Sequence, residues 1–226
     1  MTVSVDIQDG VALITMDDGK ANAVNFDLME KLNEAIDQAE SDAKAIVLAG
    51  REGRFSGGFD LKAMAGFKRD DAARLLDRAS ELLLRLYGGP IPVVGACTGH
   101  AIAMGVFLLL ACDTRVGTAG DFKLGANESA TGMKLPAFGL ELPRDRLHPH
   151  HLTKAMIQAF IYDPEGAVEA GYLDMLAEPG KTVDQAVAIA GQLSRFPAHA
   201  YAYQKSALRK PTLDAIRASI GNHPNL

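Results

Sequence analysis

The sequence lacks several features that would place it in a functional class at once. It has only two cysteines in 226 residues, no block of lysines or arginines, and no apolar run long enough to cross a bilayer. The net charge of -5 and the missing basic segment argue against general nucleic-acid binding. The first residues also lack the charged-then-apolar pattern of a signal peptide, so we expect a cytoplasmic protein with no membrane segment.

The two cysteines, Cys97 and Cys112, both lie in apolar stretches. They are typical of small core residues in a reducing compartment, although the sequence leaves a disulfide between them open. The composition, 48% hydrophobic and 23% charged, suits one large globular core. We predict a core domain over residues 1–146 and a helical C-terminal region over residues 147–226.

The most apolar stretch of the chain predicts a buried helix. Residues 91–96 have the pattern of a buried strand, and residues 104–112 carry no polar side chain. A helix that is apolar all round lies inside a protein. Its first N–H groups have no partner within the helix and carry the positive end of the helix dipole, so they need an acceptor. Either another loop supplies one or a ligand oxygen does, as in an oxyanion hole.

The remaining periodicities predict an α/β chain with a largely helical second part. A hairpin is predicted around Asp9-Gly10, and Asn25 is a plausible N-cap of the first helix. In the first part we predict strands at 3–8, 11–16, 45–49, 114–119 and 122–124, and helices at 26–40 and 70–87. After Pro136 we predict helices at 137–147, 152–160, 164–171, 183–195, 200–208 and 213–220.

Two glycine-rich turns follow predicted strands and could converge at one place. The first is Gly57-Gly58, directly before Asp60, a possible helix cap, and the second precedes the apolar helix. A pair of glycines lets backbone approach a ligand closely, but it also suits a loop that is merely tight.

Glu128 is the acid that we single out as a candidate general base. Apolar residues surround it in the sequence, and burial in an apolar pocket would raise its pKa into a range suited to proton transfer near neutrality. The alternative is an ordinary solvated glutamate in a loop. His148, His150 and His151 have no acidic or cysteine ligand at a recognisable spacing, so we predict no metal site.

A series of short motifs follows in a specific order along the chain: Ala21-Asn22-Ala23-Val24, Phe55-Ser56-Gly57-Gly58-Phe59-Asp60-Leu61, Pro92-Val93-Val94, Gly99-His100-Ala101, Ala111-Cys112-Asp113, Pro164-Glu165 and Glu169-Ala170-Gly171. Their order and spacing resemble the crotonase, or enoyl-CoA hydratase/isomerase, superfamily over nearly the full chain. The resemblance implies a spiral of β-β-α units with a helical C-terminal region, assembled as trimers or pairs of trimers. It also implies a coenzyme A thioester as substrate and no separate cofactor.

The resemblance also implies which residues form the site. The N–H groups of Phe59 and Met104 would bind the thioester oxygen, and Lys20 or Lys62 would meet phosphate. The coenzyme A moiety is expected along Lys20, Ala21, Ala23, Ser56, Gly57, Gly58, Asp60 and Leu61. Ala103-Met104-Gly105 departs from the commoner run of glycines in the family, but a backbone amide requires no particular side chain.

The departures from the family pattern bear on the reaction. Hydratases of the family use two glutamates, and the first of these aligns with Phe107, which cannot activate water. The second aligns with Glu128, in a segment similar to that of the single-glutamate Δ3,Δ2-enoyl-CoA isomerases. We therefore expect conversion of 3-enoyl-CoA to 2-enoyl-CoA, with Phe107, Leu124 and Met133 as an apolar wall. The alternatives are a hydratase or another crotonase-type reaction that uses an unrecognised acid, and a subunit that only binds acyl-CoA.

Overall fold

The computed structural model describes residues 2–223, which form two β-sheets and ten α-helices. The strands are β1 (Thr2–Gln8), β2 (Val11–Asp17), β3 (Ala45–Gly50), β4 (Gly53–Ser56), β5 (Val93–Cys97), β6 (Gly99–Ile102), β7 (Thr114–Thr118), β8 (Leu124–Gly125) and β9 (Met175–Ala177). The helices are α1 (Phe26–Asp42), α2 (Leu61–Met64), α3 (Arg69–Gly88), α4 (Met104–Leu110), α5 (Glu128–Thr131), α6 (Ala137–Arg146), α7 (Pro164–Ala170), α8 (Thr182–Leu193), α9 (Ala198–Leu208) and α10 (Lys210–Ser219).

The strands follow a spiral that confirms the predicted fold class. The larger sheet has the order β1-β2-β3-β5-β7-β9, and the smaller sheet has the order β4-β6-β8. After the antiparallel pair β1–β2, every strand pair is parallel. The successive pairs β3–β4, β5–β6 and β7–β8 each give one strand to each sheet before the chain enters a helix. Each turn of the spiral is therefore one β-β-α unit.

Local signals explain the elements that the sequence predicts well. Asp9 and Gly10 both have positive φ, 50° and 79°, as the tight primed turn between β1 and β2 requires. Asn25 caps α1, because its side-chain oxygen accepts from the N–H of Leu28 at 3.0 Å. All seven residues of α4 are buried. The predicted hairpin, cap and buried helix are thus confirmed.

Several short elements differ from the sequence prediction. β4 and β6 have only four residues each, rich in glycine and polar side chains, so their pattern is that of a loop. β9, with three residues, extends the larger sheet from within the region predicted as helical, and it pairs with β7. The helix predicted at 152–160 is a π-helix, Thr153–Ile157, which follows a short 3₁₀ turn, Pro149–His151.

Helices bury both faces of the larger sheet, as a mostly parallel sheet requires. One face packs against α1, α3 and α4, and the other packs against α8. Cys97 and Cys112 are buried free thiols that donate to the carbonyls of Gly99 and Leu108, and burial raises the pKa of each thiol to about 12. No helix within residues 2–223 has the length and apolar composition needed to cross a membrane.

Asp113 anchors the C-terminal helices to the core. One of its oxygens accepts from Lys205 Nζ and the Tyr201 hydroxyl, both at 3.0 Å, and from the N–H of Val93 at 2.8 Å. The other oxygen accepts from Arg209 Nη1 at 2.6 Å. The carboxylate side chain is only 7% exposed, so both ion pairs are held away from solvent.

We expect Asp113→Ala to lower the free energy of unfolding by about 3–5 kcal/mol, because the change leaves two buried cations without their partner. Urea denaturation of the two proteins measures the difference. Asp214→Ala is the matched control, since Asp214 forms ion pairs with Lys210 and Arg217 at the exposed surface of α10. An equal shift of the denaturation midpoint in both variants would contradict the anchoring role of Asp113.

Candidate active site

The smaller sheet brings together the three segments that the sequence singles out. Its strands are parallel, with Ser56 opposite Ala101 and Ile102 opposite Gly125, although the register of β4 on β6 shifts by one residue between Arg54 and Ser56. The carboxyl ends of β4, β6 and β8 therefore lie at one edge of the sheet. The glycine loop follows β4, the start of α4 follows β6, and Glu128 follows β8. Local strand order thus places these parts side by side.

Asn22 and Ser56 hold the glycine loop in shape. The buried Asn22 amide donates to the carbonyls of Met16 at 2.9 Å and Phe55 at 3.1 Å. The Ser56 hydroxyl donates to the Asn22 carbonyl at 2.8 Å and accepts from the N–H of Gly58 at 3.2 Å. These buried bonds join the loop after β2 to β4 and the glycine loop. Ser56 therefore stabilises the conformation of the site through the backbone.

Two backbone amides at this edge have no acceptor in the described chain. The N–H of Val24 donates to Gly58 O at 2.7 Å, and the N–H of Asp60 donates to Val24 O at 3.0 Å. This parallel bridge uses the residues on both sides of Phe59, so the Phe59 N–H has no acceptor within residues 2–223. The same holds for the N–H of Met104 at the start of α4.

The two amides lie on backbone segments that are in direct contact. A Cβ built on Gly58 would lie 2.9 Å from the carbonyl oxygen of Ile102 and 3.4 Å from the nitrogen of Met104. Gly58 has φ +91°, which favours glycine. Ala103 has φ 52° and ψ -122°, an unusual conformation for an alanine, and its N–H donates to Gly125 O at 2.9 Å. Backbone strain is therefore concentrated where β6 turns into α4.

A cavity of about 360 Å³, which we call the Glu128 cavity, opens beside these loops. It is lined by Gly57, Phe59, Leu61, Met64, Ala72, Leu76, Ile102, Ala103, Phe107, Asn127, Glu128, Thr131, Gly132, Met133, Lys134, Pro136 and Phe138. Most of these side chains are apolar. Within the part of the chain that the structure describes, Glu128 is the only acidic residue in the lining and Lys134 the only basic one.

Glu128 is the first residue of the short helix α5 and is 8% exposed. Its Oε2 atom is buried and has no hydrogen-bond partner within residues 2–223. Burial raises the pKa of this carboxyl, although the nearby backbone N–H groups of Glu128 and Asn127 partly oppose the rise. The carboxyl is thus poorly solvated in its charged form, as a base for proton transfer requires.

The raised pKa predicts a pH-dependent stability. The pKa of Glu128 is 4.5 in the unfolded chain, the ordinary value, and higher in the folded protein. As pH rises through the window between these two pKa values, the folded protein still binds a proton that the unfolded chain has already lost, and it must then give this proton up. The free energy of unfolding therefore falls over this window. We expect Glu128→Gln to raise the urea midpoint at mildly alkaline pH, with a gain that shrinks toward pH 4.5.

Denaturation series of the wild type and the variant measure this gain. The exposed Glu30 of α1 provides the control substitution, Glu30→Gln, which should leave the midpoint nearly unchanged across the series. If Glu128→Gln raised the urea midpoint by the same amount at every pH, the gain in stability would not come from the raised pKa of Glu128.

The predicted apolar wall is present in part. Phe107 is 1% exposed and packs edge to face against Phe138, with ring centroids 5.6 Å apart, and Met133 completes this side of the cavity. Leu124 departs from the prediction, because it does not line the cavity. Its backbone bonds with Tyr162 and its side chain packs into the core, at 1% exposure.

The other predicted contact residues divide into lining and supporting positions. Gly57, Phe59 and Leu61 line the Glu128 cavity. The positions outside the lining are Lys20, Ala21, Ala23, Ser56, Gly58, Asp60, Lys62 and Met104. Asp60 instead caps α2 by accepting from the N–H groups of Lys62 and Ala63, each at 3.1 Å. Lys20 and Lys62 are exposed.

The sequence does not predict the outer wall of the cavity, formed by Met64, Ala72 and Leu76. Leu76 belongs to the apolar stripe of α3 and is half-buried, so it has the pattern of an ordinary core residue. His148, His150 and His151 belong to no cluster of potential metal ligands in the described chain. His151 Nδ1 contacts the Tyr162 hydroxyl at 3.2 Å, and no group of three potential metal ligands occurs among residues 2–223.

The strand order and the β-β-α spiral are those of the crotonase fold. The family model described as enoyl-CoA hydratase/isomerase matches residues 6–222, and the chain belongs to this family.

The known relatives include both proteins named as hydratases and proteins named as isomerases. A probable enoyl-CoA hydratase of Bacillus subtilis is 33% identical over 147 residues, which cover 63% of this chain and only 56% of that relative. Human mitochondrial enoyl-CoA delta isomerase 1 is 25% identical over 95% of this chain and 72% of its own length.

The solved structures include a Mycobacterium tuberculosis protein that is 42% identical, with a TM-score of 0.92. The alignment covers 97% of this chain and 93% or 96% of the two structures of that protein. One of them is described as a probable enoyl-CoA hydratase and the other as an enoyl-CoA isomerase. Family membership alone therefore does not distinguish a hydratase from an isomerase, and the distinction must be argued from the residues of the site.

Proposed function

We propose that this protein is an enoyl-CoA isomerase that moves the double bond of a 3-enoyl-CoA to position 2. The observation that carries the proposal is the lone carboxyl of the Glu128 cavity, whose lining also includes Phe107. Two-acid hydration needs a second carboxylate to position and activate water. Among the described residues that line the cavity, there is no such second acid, which supports the isomerase over the hydratase.

The two free amides would stabilise the charge that the reaction develops. Removing a proton from C2 of the substrate leaves a dienolate, with negative charge on the thioester oxygen. The N–H groups of Phe59 and Met104 would donate to that oxygen, and a donor of this kind is worth about 10²- to 10³-fold in rate. Because the bridge to Val24 holds the Phe59 amide and α4 holds the Met104 amide, the two donors would need little reorganisation during the reaction.

Glu128 would both remove and return the proton. Its carboxylate takes the proton from C2, and the electron pair of the broken C2–H bond enters the dienolate. When the protonated carboxyl returns the proton, the C3–C4 double bond supplies the pair for the new C4–H bond, the dienolate pair becomes the C2–C3 double bond, and the thioester carbonyl re-forms. Atoms and charge balance without another reactant. The apolar side chains of Phe107 and Met133 would keep water away from the dienolate, which favours proton return over hydration.

The coenzyme A moiety would lie along the loops after β2 and β4. Exposed Lys20 and Lys62 flank these loops and could meet its phosphates, and Asp60 would keep the start of α2 in place. We further propose that the protein works in the cytoplasm as a trimer or a pair of trimers, as the family resemblance implies, without a cofactor beyond the coenzyme A of its substrate.

Separate assays with a 3-enoyl-CoA and a 2-enoyl-CoA test the proposed reaction. We expect conjugation of the 3-enoyl substrate and at least about 100-fold slower hydration of the 2-enoyl substrate, since the second acid is absent. Faster hydration than isomerisation would favour the hydratase. Tight binding of both thioesters without any turnover would favour a subunit that only binds acyl-CoA.

A further inference from the structure

A second concave surface adjoins the Glu128 cavity. We call this surface the distal groove; it has a volume of about 350 Å³ and runs between α3, α6 and α10. It is lined by Leu76, Lys134, Leu135, Pro136, Ala137, Leu140, Ala215, Ala218, Ser219, Asn222 and His223. Leu76, Lys134 and Pro136 line both spaces, so the distal groove and the Glu128 cavity adjoin at these residues.

The chemistry of the distal groove suits a hydrocarbon chain. Leu135, Leu140 and the three alanines of its lining make most of its surface apolar, and Leu140 is 42% exposed. The polar residues Ser219, Asn222 and His223 lie together toward the end of the described chain. Lys134 can place its methylene stem against the groove while its ammonium group stays in water.

The wall that α10 contributes is fixed to α3 through Asp77. Asp77 Oδ1 accepts from the N–H of Gly221 at 2.8 Å and lies 2.6 Å from His223 Nε2. Leu213 and Ile216 of α10 are buried in the core. The helix therefore presents Ala215 and Ala218 to the groove as parts of an anchored wall.

We infer that the distal groove holds the far end of the substrate's acyl chain, so that the protein prefers long-chain acyl-CoA thioesters. The inference rests on the proposed function only in taking the substrate to be an acyl-CoA. A chain whose thioester lies at the two amides would fill the Glu128 cavity first and then pass Leu76 and Pro136. Each further methylene would cover apolar surface of α6 and α10. Burial of two methylenes is enough for about a tenfold gain in affinity.

The test measures binding of hexanoyl-CoA and of hexadecanoyl-CoA below its micelle concentration, because neither saturated thioester can be isomerised. We expect the wild type to bind hexadecanoyl-CoA at least about tenfold more tightly. Ala218→Trp should fill the groove and remove most of that difference while leaving hexanoyl-CoA binding unchanged. Arg217→Trp is the control, because Arg217 is exposed on the same helix and does not line the groove.

Two results would overturn the inference. One is equal affinity of the wild type for both thioesters, and the other is an unchanged chain-length preference in Ala218→Trp. Because these measurements need no turnover, they are independent of the reaction. Chain-length-dependent binding without isomerisation would overturn the proposed reaction and leave the distal groove assigned, whereas isomerisation without this preference would do the reverse.

Discussion

Glu128→Gln is expected to lower kcat for isomerisation by about 10²- to 10⁴-fold, the usual contribution of a positioned general base. Glutamine has nearly the same shape but cannot accept the C2 proton. The rest of the Glu128 cavity and both free amides stay in place, so the affinity for a saturated acyl-CoA should change little. A loss in kcat without a loss of binding is the signature of a group that acts on the reacting atoms.

Steady-state kinetics with a 3-enoyl-CoA and calorimetric titration with a saturated thioester together measure the two effects. Glu30→Gln makes the same chemical change on the exposed face of α1 and should keep full activity. Full isomerase activity in Glu128→Gln would remove the mechanism proposed above. Equal losses of binding and turnover would assign Glu128 a structural role instead.

Gly58→Ala is expected to lower kcat/KM by about 10²- to 10³-fold, the effect of losing one oxyanion donor. The new Cβ would lie 2.9 Å from both the Ile102 oxygen and the Ala103 Cβ, closer than carbon atoms pack. The two loops must therefore separate, which moves the N–H of Phe59 away from that of Met104. The φ of +91° adds backbone strain for any residue with a Cβ.

Gly180→Ala is the control for Gly58→Ala, because it introduces backbone strain without displacing the amides of Phe59 and Met104. Gly180 has φ +76°, but nothing lies within 4 Å of a Cβ built there, and the residue is outside the Glu128 cavity. Both variants should lose stability in thermal denaturation, whereas only Gly58→Ala should lose activity. An active Gly58→Ala enzyme would show that the spacing of the two amides is unimportant.

Much of the fold can be predicted from the sequence where one short segment carries its own signal. The hairpin at Asp9-Gly10, the cap at Asn25 and the apolar helix α4 depend on local conformation or periodicity. β4 and β6 could not be predicted in this way, because four residues with glycine at the start show no alternation. These strands form only because the chain spiral places each beside a parallel neighbour.

In the candidate site, too, the residues with a local sequence signal could be predicted and those that depend on tertiary packing could not. Glu128 and the paired glycines could be selected from their residue types, and the amides of Phe59 and Met104 were implied by the family resemblance. The wall formed by Met64, Ala72 and Leu76 could not be predicted, since a half-buried apolar residue on α3 has the same pattern whether it faces the core or a cavity. Leu124 shows the opposite error. It is predicted to line the cavity because it is an apolar residue near Glu128 in sequence, but its side chain lies in the core.

In the proposed mechanism, the three-stranded sheet β4-β6-β8 separates charge stabilisation from proton transfer along the chain. Phe59 and Met104 follow the first two of its strands in chain order, whereas Glu128 follows the third, β8. Substitutions confined to α5 can therefore exchange one acid for another, or remove it, without touching either donor. The same scaffold could then be redirected from one thioester enolate reaction to another by altering a single four-residue helix.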